Sequence, residues 1–88
     1  MKIWIINEKE ELINIGNAEK IYREKRYIVR VKGKEQVVIS ESEKEEEAKE
    51  KFDIILRGIS KIVNSNEYAG VMIDLRKKNE KEEIWIIY

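Results

Sequence analysis

The chain contains no cysteine, no histidine and no proline. Disulfides, thiolate or imidazole metal sites, and Ser-His or Cys-His nucleophilic catalysis are therefore excluded. Glycine is scarce and scattered, at Gly16, Gly33, Gly58 and Gly70. No glycine-rich phosphate loop exists, and no acidic run has the spacing of a calcium loop. Net charge is absent too, with 18 basic against 18 acidic residues. No overall field draws the chain to nucleic acid or anionic lipid. Long apolar runs are also missing. The run Ile3-Trp4-Ile5-Ile6 is too short for a signal-peptide core or a spanning helix, which needs about 20 residues. The expectation is a cytoplasmic protein with no membrane partner.

What is present is a chain of 88 residues, 42% apolar and 41% charged. That is one domain, residues 1–88, with one modest core and a dense charged shell. With no covalent staple, packing, ion pairs or self-association must supply its stability.

The pattern predicts strands first, then one helix, then strands. Ile3 to Ile6 reads as a strand covered on both faces. Leu12 to Ile15, Ala18 to Arg23, Tyr27 to Lys32 and Glu35 to Ser40 follow. Gly33-Lys34 suits a two-residue hairpin loop with glycine at its first central position. That register sets Lys32 opposite Glu35, Val29 opposite Val38 and Ile28 opposite Ile39. Both faces there are apolar, which places that end of the hairpin inside a sheet or under the helix.

The helix is expected over residues 42–64. Ser42-Glu43-Lys44-Glu45 has the capping-box pattern, and Ser40 to Glu43 offers a second register. Ala48, Phe52, Ile55, Leu56, Ile59, Ile62 and Val63 fall on one stripe. Gly58, beside it, marks a close approach by a strand backbone. Val71 to Arg76 alternates as a half-buried strand, residues 77–83 form a polar loop, and Ile84 to Tyr88 is the last strand. Ile-Trp-Ile-Ile thus occurs near both termini. Either both segments enter one sheet, or one is an apolar edge that pairs between two copies, giving a homodimer. The fold class is α+β: a twisted, mostly antiparallel sheet of six or seven strands with one long helix on one face.

Charge is segregated along the chain. Residues 19–34 hold seven basic and two acidic residues, and residues 41–53 hold seven acidic and three basic. The acidic helix start, with Glu41, Glu43, Glu45 and Glu46, can occupy a basic groove on a partner. The basic hairpin, with Arg23, Arg26, Tyr27 and Arg30, can hold phosphates and stack bases. The same four residues would serve a small ribonuclease. Solvent-exposed glutamates at a helix start have nothing to raise their pKa, so no catalytic residue, cofactor or metal is assigned. Asp74, mid-strand, is the exception: it is partly buried, or else it faces solvent or pairs with Arg76. Trp4 and Trp85 are expected in the core, or as binding hot spots where exposed.

Lys2-Ile3-Trp4-Ile5-Ile6-Asn7, with Glu11-Leu12-Ile13-Asn14-Ile15, resembles the start of small phage and mobile-element proteins of low-GC Gram-positive bacteria. The resemblance implies an accessory protein that acts by binding. Val38-Ile39-Ser40-Glu41-Ser42-Glu43, continuing to Glu50-Lys51-Phe52, is similar to the strand-to-helix junction of a type II-A anti-CRISPR family. Members of that family are small α+β proteins whose acidic side chains mimic DNA in the groove where an RNA-guided nuclease reads its duplex motif. The resemblance assigns that role to Glu41 and Glu43. The expected function is a non-enzymatic inhibitor of a host protein, such as a nucleic-acid-processing defence complex. A nucleic-acid-binding regulator or a ribonuclease toxin is the alternative.

Overall fold

The computed structural model describes residues 2–64, 69–76 and 83–87. The elements are β1 (Lys2–Ile6), β2 (Leu12–Asn14), β3 (Lys20–Glu24), β4 (Tyr27–Lys32), β5 (Glu35–Glu41), α1 (Glu45–Val63), β6 (Gly70–Asp74) and β7 (Ile84–Ile87). The fold is α+β, with seven strands and one helix among the described residues, as the patterning predicts. The strands divide into two sheets instead of one. β2-β1-β6-β7 form a mixed sheet, and β3-β4-β5 form an antiparallel sheet. The expected loop at residues 77–82, the helix-ending residues 65 and 66, and Tyr88 lie outside the described residues.

In the mixed sheet β1 runs parallel to β6, with Ile5 opposite Ile73, and β7 runs antiparallel to β6. Both Ile-Trp-Ile-Ile segments therefore enter the same sheet. Ile3, Ile5, Val71 and Ile73 are buried toward α1, while Ile84 and Ile86 line the fringe of that core. Side chains alternate along a strand, so Trp4, Met72 and Trp85 stand in register on the opposite face. The tryptophans are accordingly not core residues: Trp4 is half-buried and Trp85 is 38% exposed.

The hairpin β4–β5 has the expected turn, with φ of 60° at Gly33, whose N–H donates to the Glu19 carboxylate. Lys32 faces Glu35 and Val29 faces Val38. Ile28, however, faces Ser40 and not Ile39, because β5 bulges there. An extra residue breaks the alternation, and so consecutive Ile39 and Ser40 are both buried. Ile28 and Ile39 of this hairpin join the buried core with Ile54 and Ile55 of α1, and β4 is the central strand of its sheet. β5 is an edge, and Val38 is 54% exposed.

The helix is shorter than expected, and its capping box does not form. Ser42 N–H donates to Arg26 O at 3.0 Å, and Ser42 O accepts from the Arg26 guanidinium at 2.9 Å. These bonds hold Ser42 as a continuation of the β4–β5 pairing, so the cap falls to Lys44, with no side-chain bond. Glu45, Glu46 and Glu47 in the first turn still favour the helix dipole. The buried stripe is also rotated. Ala48, Ile54, Ile55, Gly58 and Ile62 are buried, whereas Leu56 and Val63 are exposed. Gly58 does mark a close approach, made by a side chain and not by backbone. A Cβ there would lie 2.5 Å from Ile73 Cδ1.

The turn after β1 ties the two sheets together. Asn7 is buried. Its amide donates to Ile39 O and to the Glu11 carboxylate, both at 2.8 Å, and its Oδ1 accepts from Lys9 N–H and Glu11 N–H. Each of its side-chain hydrogen-bonding atoms is satisfied, as burial requires. No helix among the described residues is long and apolar enough to cross a membrane.

Candidate functional site

A cleft of about 640 Å³ opens where the start of α1 meets the end of β5 and the ends of β1 and β6. Its floor includes the buried side chains of Ile54 and Leu75. Around this floor stand seven carboxylates, from Glu8, Glu41, Glu43, Glu47, Glu50, Asp53 and Glu83. The cations Lys51, Arg57 and Arg76 accompany them.

Those cations are committed within the protein. Lys51 Nζ lies 3.3 Å from Glu8 and donates to Glu41 O. Arg57 contacts Asp53 at 3.2 Å and Glu83 at 3.8 Å. Arg76 grips Asp74 through Nε at 3.0 Å and through a terminal nitrogen at 2.7 Å. Asp74 is thus both buried, at 1% exposure, and paired with Arg76. Among the described residues no ion pair holds Glu43 or Glu50, and both are exposed. The cleft therefore offers carboxylates whose charge is not spent internally, above an apolar floor. That combination suits a lysine or arginine side chain, which needs a surface for its stem and carboxylates for its head.

Glu8 anchors the inner wall. Burial pushes its carboxyl pKa up, but opposing contacts outweigh that effect and hold it below the usual carboxylate range. They are hydrogen bonds from Ser40 Oγ at 2.7 Å and Glu41 N–H at 2.9 Å, together with the Lys51 ammonium. Ser42 also lines the cleft, and its buried hydroxyl has no hydrogen-bond partner among the described residues.

Of the four acidic residues singled out by sequence, Glu41 and Glu43 line the cleft, whereas Glu45 and Glu46 do not. Glu45 turns the other way and pairs with Arg23 at 3.2 Å. The three basic hairpin arginines each have a carboxylate partner within the chain. Arg26 lies 3.8 Å from Glu41 and donates to Tyr27 Oη, and its guanidinium stacks 5.2 Å from the Tyr27 ring centre. Arg30 pairs with Glu35 at 3.0 Å. The segregated charges of the sequence thus partly meet each other, because the β3–β4 turn packs on the β5–α1 junction.

Sequence reasoning did not single out Glu8, Glu47, Glu50, Asp53 and Glu83 as one site. Glu47 and Glu50 were visible as acidic helix residues, and their spacing of three with Glu43 one turn earlier was the available signal. Glu8 and Glu83 come from distant segments and join only through the parallel β1–β6 pairing and the β6–β7 pairing. Among the described residues no group of acidic side chains has metal-holding geometry. No protein-family model, curated protein or solved structure is similar to this chain.

Proposed function

We propose that the protein is a non-enzymatic binding protein that inhibits a host protein by holding one of its basic segments in the acidic cleft. The observation that carries this reading is the charge imbalance of the cleft, whose three cations are already paired within the chain. Exposed Glu43 and Glu50 are the contacts left for a partner, and Glu41 and Glu8 form the wall behind them. This is the action of an accessory protein of a phage or mobile element in its host's cytoplasm, of the anti-CRISPR kind. The target is then a nucleic-acid-processing defence protein whose basic groove is occupied by carboxylates in place of phosphates. The alternative, nucleic-acid binding by the basic hairpin, has its three arginines engaged by Glu45, Glu41 and Glu35.

The test is a tagged pull-down from lysate of a low-GC Gram-positive host, with and without nuclease, read by mass spectrometry. A nuclease-resistant protein is expected with the unaltered chain and with R23A. It should be lost with the double variant E43A/E50A and should weaken with salt. Recovery that disappears on nuclease treatment, or that survives E43A/E50A unchanged, overturns the reading.

A further inference from the structure

Four strands stand at sheet edges: β2 and β7 in the mixed sheet, β3 and β5 in the antiparallel one. Proteins keep such edges from pairing with other chains by charge and by shortness. β3 carries Lys20, Arg23 and Glu24, β5 carries Glu35 and Glu41, and β2 has three residues. β7, Ile84-Trp85-Ile86-Ile87, has no charge at all.

Its backbone direction is fixed. Asp74 N–H donates to Glu83 O at 2.7 Å, and Trp85 and Ile87 lie two and four residues further along in the same antiparallel register. By alternation, Glu83, Trp85 and Ile87 turn their backbone groups toward β6, and Ile84 and Ile86 turn theirs outward. The side chains of Ile84 and Ile86 pack on the core yet remain half-buried. No strand among the described residues covers them on that side.

We propose that β7 pairs antiparallel with β7 of a second copy, about a two-fold axis at Trp85, to give a continuous eight-stranded sheet. The outward groups set the register. Ile84 and Ile86 of one copy form hydrogen-bonded pairs with Ile86 and Ile84 of the other. Trp85 faces its twin in the intervening non-hydrogen-bonded pair, where side chains come closest. Opposed residues share a face, so each Ile84 packs on the other copy's Ile86 on the helix side. That completes the core where it now stops half-buried. On the other face the row Trp4, Met72, Trp85 continues into its own mirror order. A second copy fits better than a foreign strand because β7 is its own complement in donors, acceptors and apolar side chains. The chain's zero net charge adds no repulsion between copies.

The test uses the full chain, which has no other thiol. Sedimentation at micromolar concentration should give twice the 10.5 kDa chain mass. On mild oxidation W85C should form a disulfide-linked dimer, and I87C, which the register places opposite Glu83, should not. W85K, which opposes like charges across the axis, should weaken association at least about tenfold while keeping a cooperative thermal unfolding transition. The unaltered chain should also show a tryptophan exciton couplet that fades on dilution, a readout independent of whether the variants fold. A monomer at every concentration, or cross-linking of I87C as readily as W85C, overturns the proposal.

Discussion

The two sheets are held by different physics. The mixed sheet is built on Ile3, Ile5, Val71 and Ile73, buried between strands and helix, and its central strands β1 and β6 carry almost no charge between their ends. The antiparallel sheet buries Ile28, Val29 and Ile39 but is otherwise edged by ions: Arg23 to Glu45, Arg26 to Glu41 and Arg30 to Glu35. Exposed pairs of this kind contribute only ~0–1 kcal/mol each, whereas a fully buried aliphatic side chain contributes about 1.5–3 kcal/mol. The mixed sheet thus rests on burial, and the antiparallel sheet on burial helped by ion pairs. The antiparallel sheet depends on being fastened to it, chiefly through Asn7 and Glu8. The cleft lies along that fastening, so the proposed binding falls where the two sheets meet.

The largest break is in the mixed sheet. I73A removes a fully buried side chain beneath Gly58 and should cost about 2–5 kcal/mol. Urea unfolding should show one cooperative transition shifted to lower midpoint, since both sheets lose their shared support. N7A is next. It strips Ile39 O and the Lys9 and Glu11 N–H groups of their partner, at about 1–3 kcal/mol. Hydrogen exchange should quicken in β5 more than in β6. Equal acceleration in both sheets would show that Asn7 is not a link but part of one undivided core. The smallest effect separates the sheets by pH. The Glu8 carboxyl titrates below its ordinary value in the folded chain. Its contribution is therefore fully present above the unfolded-state pKa and is lost as pH falls through the lower folded value. E8Q should flatten the stability profile across the acid range, read by thermal unfolding at stepped pH. An unchanged slope would assign the acid sensitivity to other carboxylates.

Much of this was legible in local pattern. Gly33 with the Lys32–Glu35 pair fixed a hairpin, the Ile-Trp-Ile-Ile segments joined one sheet, and Gly58 signalled contact with a strand. The division into two sheets was not legible, because it rests on β1 pairing parallel to β6, a contact with no local signature. Ser42 looked like a helix cap until Arg26, sixteen residues earlier, claimed its backbone. Ile54 has no distinct signal in the sequence, because the apolar spacing runs equally well through Leu56, which lies on the other side of the helix and is exposed. Within the candidate site, neighbouring glutamates were grouped as though adjacent in space. Successive helical residues turn about 100°, so Glu47 and Glu50 share the cleft while Glu45 faces Arg23, and Glu43 joins them from the segment before α1.

The parallel pairing of β1 with β6 also governs the order of assembly. Ile5 meets Ile73, so this contact closes a loop that spans most of the chain. Closing so long a loop has an entropic cost that nearby hairpins avoid, and contacts of this kind slow folding. On a ribosome, β3, β4 and β5 emerge together and can zip at once. β1, synthesised first, has only β2 beside it until β6 leaves the tunnel. β1, apolar from Ile3 to Ile6, is therefore the strand that waits longest for its partner, and the window in which it is open to capture by chaperones is set by the rate of translation.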